Sequence, residues 1–145
     1  MKMVKIDKKN WSSLLKHAID CFPQECTGMF ECFKDAGKPL KITRVFACKN
    51  VAKRKRYGSM IAKRDMKVLK VIIAAGEKKG FLYGVYHSHP NTGTIQLSDL
   101  DMHSAKLYKR FRLQIIIGIT KQKKIRRVFL KMNKSGWSSK KIIVR

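Results

Sequence analysis

Phe81-Leu82-Tyr83-Gly84-Val85-Tyr86-His87-Ser88-His89-Pro90 is an apolar run that ends in two histidines. Its length and its aromatic content predict a buried strand over 81–89. Side chains alternate along a strand, so His87 and His89 point to the same face. Each can offer a ring nitrogen to one ion. A loop over 90–97 follows, and then Ser98-x-x-Asp101 opens a helix predicted to run to about residue 109, with Leu100, Leu107 and Tyr108 available to pack. Asp101 falls in its first turn and can add a carboxylate oxygen. Two nitrogens, one carboxylate and an open position make a catalytic zinc site. The same Ser-x-x-Asp also suits a plain helix start, with Ser98 as cap and Asp101 favoured by the helix dipole. Asp99 is oriented differently on such a helix. His17 and His103, each alone, read as structural or surface residues, although His103 lies on the same helix as Asp101.

Upstream, the first nine residues read as a strand. Asn10 is a good N-cap. After it Trp11, Leu14, Leu15, Ala18, Ile19 and Phe22 recur at helical spacing, and Pro23 marks the helix end. Residues 26–34 and 40–49 read as two strands joined by the turn Asp35-Ala36-Gly37-Lys38-Pro39. A second helix is predicted over 65–78, with Met66, Leu69, Ile72 and Ile73 on its apolar face and Gly76 and Gly80 bracketing its end. Downstream, 113–120 is a continuous apolar strand, 125–132 its hairpin partner, and 142–144 a last short strand. This order implies an α/β fold, with a mixed sheet flanked by helices, in one domain over 1–145.

The chain has 145 residues, 44% of them hydrophobic, enough for one domain with a real core. No apolar run approaches the roughly 18–20 residues that a membrane helix requires. The N-terminal residues lack the apolar stretch and cleavage site of a signal peptide. A soluble, cytoplasmic protein with no membrane partner is expected. The four cysteines, Cys21, Cys26, Cys32 and Cys48, form no Cys-x-x-Cys and are expected to be reduced and mostly buried. The net charge is +25. It thickens at Lys53-Arg54-Lys55-Arg56 and at Lys121-Gln122-Lys123-Lys124-Ile125-Arg126-Arg127. Such a field attracts polyanions, and it equally suits the solvated surface of a Lys-rich protein.

The His-x-His-Pro…Ser-x-x-Asp stretch resembles the JAMM metallopeptidases, also called the MPN family. A second block of that family's signature, Pro-x-Glu-x-x-Gly, is matched by Pro23-Gln24-Glu25-Cys26-Thr27-Gly28. Both blocks occur in the family's order, and the resemblance runs from about Trp11 to Met132. It implies a compact, prokaryotic-type domain with the cytidine-deaminase-like sandwich fold. It further implies that His87, His89 and Asp101 bind Zn2+, with a water in the fourth position. Glu25, which alone would be an ordinary carboxylate, becomes the general base that takes that water's proton. Ser98 becomes the donor to the oxyanion. The interval from Pro90 through Leu97 is one residue longer than the family pattern, which affects the placement of Ser98.

Three functions are compatible with these residues. The first is a zinc-dependent peptidase or isopeptidase, deubiquitinase-like, that hydrolyses a bond at the C-terminal tail of a ubiquitin-like or sulfur-carrier protein. A basic surface would favour an acidic one. The second is a nucleic-acid-binding domain on the same fold, using the two basic runs, although no nucleic-acid motif is recognisable. The third is an inactive MPN scaffold, which requires a missing ligand or base.

Overall fold

A computed structural model describes residues 3–90, 95 and 111–145. In chain order the elements are β1 (Met3–Ile6), α1 (Lys8–Cys21), β2 (Thr27–Phe33), β3 (Leu40–Cys48), α2 (Lys63–Glu77), β4 (Phe81–Pro90), β5 (Leu113–Ile119), β6 (Ile125–Asn133) and β7 (Gly136–Val144). The strands form a closed barrel in the order β1-β3-β2-β4-β5-β6-β7. The sheet is mixed, as expected, but it is not a helix-flanked sandwich: the fold is mostly β, with two helices among the described residues. Closure comes from β1, which pairs in parallel with β3 on one side and with β7 on the other; Val4 lies opposite both Leu40 and Ile142. A strand with partners on both sides leaves no edge to pair elsewhere. Local periodicity cannot report that pairing. It also reads β7 too short, because Ser138, Ser139, Lys140 and Lys141 hide a strand that begins at Gly136.

One core cluster takes a buried residue from every strand: Val4, Phe30, Ile42, Tyr86, Ile115, Phe129 and Ile142. Leu14 and Ala18 of α1 join it. A second cluster, with Met29, Leu69, Ile73 and Tyr83, sits between α2 and the opposite face of β2 and β4. The two helices therefore cover opposite faces of that strand pair. Burying a large apolar side chain contributes roughly 1.5–3 kcal/mol, so these clusters dominate the fold.

Several element ends differ in detail. Asp7, not Asn10, caps α1: its carboxylate accepts the Asn10 N–H at 2.7 Å, and Asn10 instead donates its side-chain amide to the Thr43 carbonyl at 3.1 Å. Gly76 and Gly80 do bracket the end of α2 at Glu77, and a Cβ on Gly76 would collide with the Tyr83 hydroxyl. Pro90 is the last residue of β4. The rest of the expected loop, Ile95 apart, and the expected helix over 98–109 lie outside the described residues. Ile95 packs against Ile116, Val128 and Leu130. Among the described residues no helix is long and apolar enough to cross a membrane.

Candidate functional site

The β2–β4 pair builds the site. Two of its cross-strand pairs are complementary in shape: Gly28 faces Tyr86, and Phe30 faces Gly84. A Cβ on Gly28 would meet the Tyr86 ring at 2.5 Å and also collide with the Phe46 carbonyl oxygen. A Cβ on Gly84 would meet the Phe30 ring and, at 2.5 Å, the Leu113 carbonyl oxygen. Each aromatic ring thus lies over a glycine of the other strand, which sets the register. A slip of one residue would turn every side chain to the other face.

That register brings the two sequence blocks together. Thr27 pairs with His87. One step further, the Cys26 N–H donates to Ser88 Oγ at 2.8 Å and the Ser88 N–H donates to the Cys26 carbonyl at 3.2 Å. Glu25 precedes Cys26, two residues before the start of β2. Paired residues share a face and alternate along the strands. Thr27, His87 and His89 thus fall on the α2 side of the pair, and Cys26, Tyr86 and Ser88 on the side of the barrel core.

His87 and His89 are both buried, and their Nε2 atoms lie 3.0 Å apart. At that separation one positive centre, a proton or a metal ion, satisfies both nitrogens. Two ligands of a tetrahedral zinc with Zn–N of about 2.0–2.1 Å are separated by about 3.3 Å, so the pair fits as two members of a zinc ligand set. Asp101 and Ser98 lie outside the described residues, as do Asp99 and His103. Among the described residues no group of three or more metal-ligating side chains is assembled.

Glu25 is 5% exposed, and its backbone is held on both sides. Its N–H donates to the Lys55 carbonyl at 2.6 Å, and its carbonyl accepts from Asn50 Nδ2 at 3.0 Å. Asn50 makes three further bonds: Nδ2 to the Gly58 carbonyl at 2.9 Å, and Oδ1 from the N–H groups of Ala52 at 3.0 Å and Met60 at 3.1 Å. One buried side chain thereby folds the loop after β3 and fastens it to Glu25. Sequence reasoning missed Asn50. The only local signal was a polar residue directly after an apolar strand. It also passed over Ser88, whose hydroxyl ties the middle of His-x-His to the residue after Glu25.

The remaining polar groups are structural. Burial pushes the Cys26 thiol up to about 12, only partly offset by Ser88, so it is a neutral thiol and no nucleophile. Burial also raises the Tyr86 phenol above its usual range and lowers the His17 imidazole, with Asp20 opposing the latter. A neutral phenol and a neutral imidazole suit the 2.7 Å bond in which Tyr86 donates to His17 Nδ1. At the far end of the same ladder Glu31 is nearly buried, which would raise its carboxyl. Bonds from Tyr83 (2.7 Å), Arg44 (3.1 Å) and Thr43 (2.8 Å) outweigh that and hold it below its ordinary value.

No curated protein matches the chain. Among solved structures, the chain is similar to the solution structure of a protein from Desulfitobacterium hafniense. The TM-score is 0.72 at 23% identity, over 99% of this chain and 93% of that one. That likeness shows a shared fold. The model of the prokaryotic homologs of the JAB domain matches residues 7–131, a span that contains both the Glu25 block and the His-x-His-Pro block, and the chain belongs to that family.

Proposed function

We propose that this chain is a zinc-dependent peptidase or isopeptidase, acting at the flexible C-terminal tail of a ubiquitin-like or sulfur-carrier protein. The observation that carries the reading is the approach of the two imidazole Nε2 atoms to 3.0 Å, and Glu25 lies two residues before Thr27, which pairs with His87. An inactive scaffold of this fold would lack a ligand or the base, and this chain retains both histidines and the glutamate.

In this reading His87 and His89 hold zinc together with Asp101. Bound zinc acts as a Lewis acid and makes water a usable nucleophile near neutral pH. Glu25 takes the proton of the attacking water and delivers it to the leaving nitrogen, a role that typically contributes about 10²–10⁴-fold. Ser98 donates to the oxyanion that forms on the scissile carbonyl, typically worth about 10²–10³-fold. Asn50 and the Lys55 carbonyl keep the Glu25 backbone from shifting as the proton moves.

The test is zinc content together with hydrolysis of a ubiquitin-like protein carrying a Gly-Gly tail fusion. His87→Ala and His89→Ala should lose both zinc and activity. Glu25→Gln should keep zinc and lose about 10²–10⁴-fold in rate. Equal, negligible zinc in wild type and His89→Ala would sink the metal assignment. A fully active Glu25→Gln would remove the base.

A further inference from the structure

The barrel brings the two basic runs to one end. Thr27 at the start of β2 pairs with Cys48 at the end of β3 and with His87 near the end of β4. Pro90 pairs with Ile119, and Ile119 with Ile125. The 49–62 loop and the 120–124 turn therefore both rise from the end that carries the histidine pair, one on each side of β2 and β4. The turn is fixed there, with Lys123 Nζ 4.4 Å from the centre of the Phe22 ring. The loop is fixed by Asn50.

On the loop side lies a cleft of about 600 Å³, lined by Gln24, Lys49, Lys53, Lys55 and Arg56 together with two small apolar residues. Four cations line it, and among the described lining residues none is acidic. It starts one residue from Glu25, and the Glu25 N–H is bonded to the backbone of one of its lysines. Like charges gathered around a concave wall repel one another and focus a positive field, which an anion relieves.

We infer that this cleft is a specificity site that receives the acidic side chains of the substrate protein, next to the bond on which Glu25 acts. The inference rests on the peptidase reading for the place of that bond, but the binding itself does not require catalysis. A protein carboxylate fits better than a nucleic acid. No aromatic ring lines the cleft to stack a base.

The test uses the full chain kept metal-free with chelator, so that binding is read without turnover. Fluorescence anisotropy would follow a labelled peptide that ends in Gly-Gly and carries a run of glutamates, and the same peptide with glutamines. The variants are Lys49→Glu/Lys53→Glu and, as a control at the opposite end of β4, Lys78→Glu/Lys79→Glu. The cleft pair should weaken the glutamate peptide about tenfold or more, the control pair less than about twofold, and neither should change the glutamine peptide. Equal losses from both pairs would reduce the effect to the overall charge and overturn the proposal. So would a random oligonucleotide that binds more tightly than the glutamate peptide and loses affinity in Tyr57→Ala, whose ring is exposed on the same loop. Loss of hydrolysis in Glu25→Gln with peptide binding intact would support both readings separately. Cleft-dependent peptide binding by a wild-type protein that hydrolyses nothing would retire the peptidase reading and leave the cleft.

Discussion

Gly28→Ala should damage this protein far more than a single methyl suggests. The new Cβ would lie 2.5 Å from two atoms of the Tyr86 ring and closer still to the Phe46 carbonyl oxygen. Neither neighbour can yield. The carbonyl belongs to the β2–β3 ladder, and Tyr86 is fully buried with its hydroxyl held by His17 at 2.7 Å. Overpacking of this kind costs about 1–3 kcal/mol, and a backbone obstacle places Gly28→Ala at the upper end. For a domain of this size each kcal/mol moves Tm by about 2–4 °C, so the loss should be about 6–12 °C by circular dichroism. The second partner separates the two clashes. Tyr86→Leu removes the ring but not the Phe46 oxygen, so adding Gly28→Ala to it should cost about half as much as in wild type. The resulting coupling is on the order of 1–2 kcal/mol. A Gly28→Ala protein that melts within about 1 °C of wild type would refute the claim that Tyr86 over Gly28 sets the register.

Asn50→Ala removes four hydrogen bonds, two of them to the carbonyls of the buried Glu25 and Gly58, so it should cost about 2–4 kcal/mol. It should also lower kcat with zinc content unchanged, and unaltered kcat in a folded variant would show that the loop does not position Glu25. His17, whose imidazole is lowered by burial, makes stability depend on pH. The unfolded state binds its proton first, so stability is fully present above the ordinary value of 6.5 and is lost as pH falls through that value toward the folded one. His17→Gln keeps an acceptor for Tyr86 and should flatten this part of a denaturant-midpoint profile; identical profiles would reject it. Glu31, also lowered, adds a second loss only below its ordinary 4.5, as pH falls through its folded value.

The strand that carries the histidines was legible because it is buried on both sides, and such a strand reads as one apolar run. The apolar face of α2 was legible for the opposite reason: Leu69 and Ile73 repeat at helical spacing against a polar background. The barrel was not legible. Its closure depends on Val4 pairing with both Leu40 and Ile142, a fact about three distant segments that no local pattern records. Gly76 and Gly80 marked the end of α2 correctly, but the Tyr83 hydroxyl packed over Gly76 was not legible, because a glycine near a helix end looks the same with or without a ring above it. In the site, His87, His89 and Glu25 stood out through their motif frames. Asn50 did not, because its role lies in four bonds to backbone groups that carry no side-chain identity.

The site's geometry is set by counting along two strands. Gly28 faces Tyr86, Thr27 faces His87, Cys26 bonds Ser88, and Glu25 is the residue before Cys26. The parity of these positions decides whether carboxylate and imidazoles share a face. An insertion between Glu25 and Gly28, or between Tyr86 and His89, would move one partner to the core side and break the site, whatever it did to stability. The loop between β3 and α2 is under no such rule. Cys26 and Ser88 are 62 positions apart, and the stretch between them turns back through β3, this loop and α2. Length in the loop can change at small cost in loop closure. The short, rigidly spaced blocks thus carry Glu25 and the histidine pair, and the intervening loop is anchored separately, through Asn50, the Lys55 carbonyl and the buried Ile61.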